Sequence, residues 1–438
     1  MPVLARPAET LFLALWAGAL LHIFWPAPWL DMASAVVTAA YVAVAFLGAR
    51  RQVQALCGVM AAIAIALAWW TGSWAALPRA GSSVASFAAF FGTLALMRAA
   101  ADLRPEIARA RALVARLGDA ERVGALTVGA HFLGAVLSIS VMAIFAPIIG
   151  RDAPFETRRS AAEACQRGMC LACLWSPFWI AMAFAYQHLP NVKLWQIMAL
   201  GLALAAVGLI VAQLLYSRSV GIGGLWRALK GFAPVLPPLA VAAAVVLGLT
   251  AASPLTTLQS LVLGIPVLCV GGLIAQGIDR LVLALGQTRR GIGGVSGEMV
   301  LLSVALALGR VLEGVLANGA LAEAIARHAP PAPVVIVLVA GGITLLALVG
   351  VHQIVGATVM LAVFSNLPLG VSDLVLMEAM LMGWAFSSMC GLSAVSVAAA
   401  GTMFGVPLER VAYGANLRFL AVYGVLAVGL LAAVNALT

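Results

Sequence analysis

Apolar runs recur along the whole chain, each ended by a short polar connection in which arginine is the commonest charge. A run of about 20 residues crosses the roughly 30 Å hydrocarbon core of a bilayer as a helix. The pattern therefore predicts an all-α polytopic membrane protein. Eleven runs read as full spans, at 9–29, 32–49, 53–72, 83–98, 168–187, 193–216, 233–251, 255–284, 296–317, 374–403 and 410–436. Two more, 123–149 and 333–366, are as apolar, but the charges around them argue against a simple crossing.

Residues 98–122 hold Arg98, Arg104, Arg109, Arg111, Arg116 and Arg122 among Asp102, Glu106, Asp119 and Glu121, an amphipathic connection expected on the cytoplasmic side. Residues 150–167, with Arg151, Arg158, Arg159 and Arg167, belong inside by the same rule. A crossing at 123–149 would put one of the two outside, whereas a re-entrant hairpin keeps both inside. The second run mirrors it. Residues 318–332 carry only Arg327 and residues 365–373 carry no Lys or Arg, which suits a hairpin entered from the periplasm. With both hairpins, only Arg79, Lys193 and Arg327 fall outside and Arg310 lies within a span, so the other 21 of the 25 Lys and Arg residues are inside. This topology expects a bacterial-type inner membrane, a cytoplasmic N-terminus and a periplasmic C-terminus.

The chain then divides into a leading helix (1–31), a first repeat (32–216), a basic cytoplasmic linker (217–232) and a second repeat (233–438). Each repeat has five spans and one hairpin, and an odd number of spans inverts the second repeat relative to the first. Spacing points the same way. Gly129-Ala130-His131 leads to Pro147 and Gly350-Val351-His352 leads to Pro368, sixteen residues from His to Pro in both.

Composition narrows the function classes. With 64% hydrophobic and 9% charged residues and a mean hydropathy of +1.09, the chain is no water-soluble globule. The net charge of +9 is arginine set in connections, without the aromatic-basic interleaving that nucleic acid binding uses. The first apolar run lacks a small-X-small cleavage site and is expected to stay as an uncleaved span. Six cysteines, including Cys165, Cys170 and Cys173, read as small packing residues. No HExxH, phosphate loop or Gly-X-Ser-X-Gly is present, so neither an enzyme nor a bound cofactor is expected.

Polar chemistry concentrates in and after the two hairpins. Backbone that leaves the helix at membrane depth is tolerated only where it lines a site. Leu174-Trp175-Ser176-Pro177-Phe178 breaks its span, because Pro177 removes a helical hydrogen bond and disfavours helix at Ser176. The freed carbonyls suit a cation and the new helix N-terminus an anion. The matching stretch is Ser387-Ser388-Met389-Cys390-Gly391-Leu392-Ser393, with Ser396 one turn on. On the hairpins themselves lie His131, Ser138, Ser140, His352, Gln353, Thr358, Ser365 and Asn366. The substrate is expected at Ser138, Ser140, Trp175, Ser176, Pro177, Thr358, Ser387, Ser388, Gly391 and Ser393, with Ser138 and Thr358 closest. The coupling ion is expected at His131, His352, Gln353 and Asn366, either histidine serving as a proton carrier or as a hydrogen-bond donor. Arg310 and Glu313, three residues apart, form an intramembrane pair that serves either structure or function. Glu298 and Glu378 lie nearer span ends and are expected to reach solvent.

This arrangement of a leading helix and two inverted units, each with a hairpin and then a broken helix, resembles the ion transporter superfamily. That group includes divalent anion/sodium symporters, citrate carriers and gluconate-type permeases. The likeness lies in architecture more than motif. Leu137-Ser138-Ile139 stands before Pro147, and Thr358 before Pro368, where the divalent-anion branch has Ser-Asn-Thr, though neither tip carries the Asn. Trp175-Ser176-Pro177 and Ser388-Met389-Cys390-Gly391 look like the family's helix breaks. The resemblance implies substrate binding between hairpin tips and broken helices, an elevator-type movement and a homodimer. The expected function is a secondary active transporter for a small organic anion, a carboxylate or sugar acid, coupled to H⁺ or Na⁺. An uncoupled channel or facilitator and a membrane-embedded lipid-processing protein remain alternatives.

Overall fold

The computed structural model describes residues 2–317, 330–367 and 369–437. Arg327 with its connection, and Pro368, lie outside the described residues. The first helices are α1 (Pro2–Phe24), α2 (Pro28–Gly48), α3 (Arg51–Thr71), α4 (Ala76–Asp102), α5 (Pro105–Ala115), α6 (Asp119–Leu137), α7 (Val141–Ile149), α8 (Phe155–Ala172), α9 (Ile180–His188) and α10 (Leu194–Tyr216). They are followed by α11 (Gly221–Phe232), α12 (Leu236–Ala252), α13 (Thr257–Gln276), α14 (Ile278–Gly294) and α15 (Ser296–Ala317). The last six are α16 (Ala332–Leu348), α17 (Gln353–Phe364), α18 (Asp373–Cys390), α19 (Val395–Phe404), α20 (Leu408–Ala412) and α21 (Asn416–Leu437). Among the described residues no strand occurs.

Among the described residues ten helical runs are long and apolar enough to cross a membrane, or eleven if α14 and α15, bent by 53°, count as one. The protein is an all-helical, multi-pass membrane protein. Its helices differ in what covers them. α3 leaves Trp69 and Trp70 78% and 77% exposed, as a lipid-facing helix does, whereas every residue from Val375 to Cys390 of α18 is buried.

Several boundaries depart from the sequence expectation. The span expected at 255–284 stops at Gln276, where Gly277 takes φ 125° and the amphipathic α14 begins. The linker 217–232 is mostly a helix, α11. Residues 150–167 are not a loop, because α8 starts at Phe155, just after Pro154. Arg158 reaches back to cap α19, donating from Nη1 to Phe404 O at 3.1 Å and also to Gly405 O. A cation at a helix C-terminus is favoured by the partial negative charge there. Arg167 is only 1% exposed, so it is a core residue and drops out of the arginine count that placed residues on the cytoplasmic side.

The chain packs into two units that do not follow the halves of the sequence. One gathers α1–α4, the end of α12, α13–α15 and the end of α17. The other gathers α5–α11, most of α12 and α17, α16 and α18–α21. The second carries both breaks.

Contacts within the second unit fix the direction of its helices. Along α6 and α8 the partners advance together: Thr127 meets Gly168, Gly134 meets Met169 and Ala135 meets Ser176. These two helices run parallel. Between them α7 doubles back along α6, since the Phe145 ring lies against Gly129 on the other side of the turn at Ser138. The apolar run Glu121–Ile149, 29 residues long, therefore reverses rather than continuing straight.

The second set repeats the arrangement. Gly383 meets Ala340, Ser387 meets Ile343 and Leu392 meets Ala347, so α16 and α18 are parallel. Gly356 packs on Ile343, so α17 folds back on α16. α8 and α10 are antiparallel (Arg167 at Tyr216, Leu171 at Gly208, Leu174 at Gly201). So are α10 and α21 (Tyr216 at Ala415, Leu204 at Tyr423) and α18 and α21 (Ser372 at Asn435, Phe386 at Tyr423). Three reversals in series leave α8 and α18 pointing in opposite directions.

Candidate functional site

The first break occupies residues 173–179, between α8 and α9. Pro177 has no N–H to continue the helix, and the break is tied to the last turns of α6. The Ser176 hydroxyl donates to Ala135 O at 2.6 Å and accepts from the Phe178 N–H at 3.3 Å. Trp179 Nε1 donates to Gly134 O at 3.1 Å. Trp175 Nε1 donates to His131 Nε2 at 3.2 Å, and His131 Nδ1 stands 3.2 Å from Gly168 O. An acceptor at Nε2 leaves Nδ1 as the donor, so the neutral tautomer satisfies both contacts. Protonating Nε2 would break the indole bond. His131 is thus a fully partnered brace between α6 and α8, which is poor geometry for a proton carrier.

At the turn, Ser138 has φ 50° and ψ −129°, the only non-glycine residue with positive φ among those described. Such a conformation costs of order 1–3 kcal/mol and persists only where the surroundings impose it. Here the Ser138 N–H closes α6 on Gly134 O, and Ser140 ends the turn half-buried.

The second break, residues 391–394, separates α18 from α19. Ser387 donates to Ile343 O at 3.1 Å, Ser393 to Val351 O at 3.0 Å, and the Leu392 N–H to Ala347 O at 3.2 Å. A Cβ on Gly391 would come within 2.6 Å of Ser387 O and 3.0 Å of the Ala347 side chain, so only glycine fits. The Ser388 carbonyl accepts from Ser396 Oγ and from Gln166 Nε2, both at 2.5 Å. The Gln166 bond joins α8 directly to the end of α18.

The equal intervals that paired His131 with His352 are not the structural register. His131 sits inside α6, two turns before the reversal at Ser138, whereas His352 lies in the reversal between α16 and α17. His352 Nδ1 accepts from the Ile354 N–H at 3.3 Å, and Gln353 Oε1 is buried without a hydrogen bond among the described residues. Thr358 is fully buried but bonds within its own helix, to Ile354 O at 2.7 Å. Asn366 falls in the first unit, where it donates to Ala362 O at 2.8 Å. So does the Arg310–Glu313 pair, 3.1 Å apart and half-buried on α15.

Two features of the second unit went unread in the sequence. One is a buried network on α8. Arg167 Nη1 donates to Asn416 Oδ1 at 2.5 Å, and its guanidinium carbon lies 3.9 Å from the centre of the Tyr216 ring. Asn416 donates to Glu163 O at 3.2 Å, the Glu163 carboxylate accepts the Ala415 N–H at 3.1 Å, and Tyr216 donates to Ala415 O at 2.5 Å. Glu163 sits one turn before Arg167, so the cation has a counter-charge nearby. Its polarity made α8 look like a loop.

The other is Glu378. Expected to reach solvent, it is instead 0% exposed in the second turn of α18, and neither carboxylate oxygen has a hydrogen-bond partner among the described residues. The cause is the cover: α16, α8, α10 and α21 enclose α18 on all sides, and α18 begins only five residues earlier. No protein-family model and no curated protein sequence matches the chain.

Proposed function

We propose that the protein is a secondary active transporter moving a small organic anion across the membrane, coupled to H⁺ or Na⁺, by an elevator-type alternation of access. One observation carries this reading. Two helix pairs, α6–α8 and α16–α18, are each parallel, each joined by a helix that doubles back, and each followed by a break, and α8 and α18 point oppositely. That pattern supports two re-entrant hairpins entering from opposite faces, and with them two inverted repeats. α7 has nine residues, about 13 Å at 1.5 Å per residue, too short to cross alone. Broken helices present unpaired carbonyls and N–H groups that hold ions and carboxylates without a full charge. A purely structural protein has no use for two such breaks.

The substrate site in this reading lies at the two breaks: Ser176, Trp175 and Pro177 with Ser138 and Ser140 on one side, and Ser387, Ser388, Gly391 and Ser393 on the other. Thermal shifts of the purified protein against organic acids and sugar acids, with and without Na⁺ and at two pH values, select ligands for uptake into proteoliposomes. Saturable uptake that follows an ion gradient is the expected result. Uptake that stays linear in substrate and ignores every gradient assigns a facilitator or channel instead. The hairpins are tested separately in a cysteine-free background. Arg116→Cys and Arg151→Cys are expected to label from one face, and Pro331→Cys and Gly370→Cys from the other. Labelling of the first two from opposite faces would remove the first hairpin.

A further inference from the structure

We propose that Glu378 is the proton carrier of the transport cycle. The inference rests on the transporter reading and deepens it by naming the coupling ion and its site. A carboxyl group fully enclosed by helices, with no hydrogen bond to either oxygen, is rare because an ionised carboxylate there lacks water, donor and counter-charge together. In a membrane protein such a residue is functional by default.

The surroundings offer nothing to hold the charge. α16 and α19 contain no titratable side chain. The break after α8 presents the Cys173 thiol and α21 the Tyr423 hydroxyl, both near the carboxyl and neither cationic, whereas Arg167 and Glu163 of α8 stand by Cys390 at the far end of α18, and Arg418 of α21 stands by Tyr216. The Tyr423 hydroxyl is already committed to Leu204 O at 3.0 Å. On the remaining neighbours, Tyr216 of α10 donates to Ala415 O, α9 carries Tyr186 and His188, α20 carries Glu409 and Arg410, and Asp373 opens α18 itself. Among the described residues no cationic side chain is hydrogen-bonded to Glu378. In the enclosed state the group is therefore the neutral acid. Its position supplies the link to transport, since Cys173 is the first residue of the first break. A rearrangement that opens this break brings water to Glu378. One O–H bond then breaks, the proton leaves to water and a carboxylate remains, to be reprotonated from the opposite side before the group is enclosed again.

The same geometry sets His131 aside, because both of its nitrogens are already engaged. Infrared spectroscopy of the full chain in lipid at neutral pH reads the carboxyl directly. A protonated-acid C=O band present in the wild type and missing in Glu378→Gln is expected, and a wild type without that band overturns the proposal. Transport is read with radiolabelled citrate, succinate and gluconate at a clamped membrane potential. One proton per substrate accumulates a probe about tenfold per pH unit of inward gradient in the wild type. Glu378→Gln is expected to lose this accumulation entirely while still exchanging the probe at equilibrium, with Glu378→Asp retaining part of it. Wild-type accumulation that follows Na⁺ and ignores the pH gradient overturns the proton carrier and leaves the transporter standing. No uptake of any probe, with the acid band intact, fails the transporter reading and the carrier with it. Both wild-type arms decide the matter even if the variants do not fold.

Discussion

The two broken helices share a plan and differ in how their polar groups are treated. Around α8 most polar side chains are held, although among the described residues Gln166 Oε1, Arg159 Nε and Arg167 Nε stay unpaired: two indoles and a hydroxyl clamp the break to α6, His131 is bonded at both nitrogens, and Arg167 is held by Asn416 and Tyr216. Around α18 the break is held mainly by serines and backbone, and Glu378 and Gln353 keep buried oxygens unpaired. Satisfied networks rigidify, and unsatisfied ones are where a second state gains by rearranging. The comparison teaches that matched architecture need not mean matched duty. In the proposed transporter the α8 side would be the fixed frame, and the α18 side would hold the group that changes.

The sharpest way to break this contrast is to exchange the buried charges for amides. Arg167→Gln removes one partner from a buried network and is expected to cost about 3–5 kcal/mol in detergent unfolding. Glu378→Gln, which replaces a neutral acid by its isostere, is expected to stay within about 1 kcal/mol of the wild type in the same measurement. Equal losses would dissolve the distinction.

The helix seams test it next. A Cβ at Gly168 would stand 1.9 Å from Thr127 O, whereas one at Gly383 would stand 2.9 Å from Ala340 O. Gly168→Ala is therefore expected to lose at least about 3 kcal/mol and Gly383→Ala about 1 kcal/mol, read as a difference in melting temperature. A smaller effect separates the clamps. Trp175→Phe strands His131 Nε2 and is expected to cost about 1–3 kcal/mol. Tyr413→Phe loses a bond from a half-exposed hydroxyl to Leu348 O and is expected to cost under about 1 kcal/mol. The smallest effect lies at the two turns. Ser138→Gly relieves the positive φ and is expected to stabilise by up to about 1 kcal/mol, whereas Gly350→Ser, at φ 95°, is expected to destabilise by a similar amount.

What could be read in advance follows from where the physics is local. Apolar runs fixed the membrane class and most helix ends, since burial in lipid needs length and little else. Pro177 and Gly391 marked the breaks because proline and glycine act on their own backbone. The paired His-to-Pro intervals misled, because equal spacing in sequence does not force equal placement about a turn, and Ser138 reverses the chain where no glycine or proline announces it. Arg167 and Glu378 were misplaced for a related reason. A charge in an apolar sequence reads as an approach to water, unless one knows which distant segments, here α10 and α21, come to cover it.

The enclosure of α18 also sets an order for making the protein. Its sixteen residues from Val375 to Cys390 present no face to lipid, yet α21, which lies along it through Tyr423 and Asn435, is synthesised afterwards. A ribosome therefore delivers α18, with Glu378, before the last part of its cover exists. The helix must wait beside the insertion machinery or beside α8 and α10, and completion of the last helix is the step that seals it in.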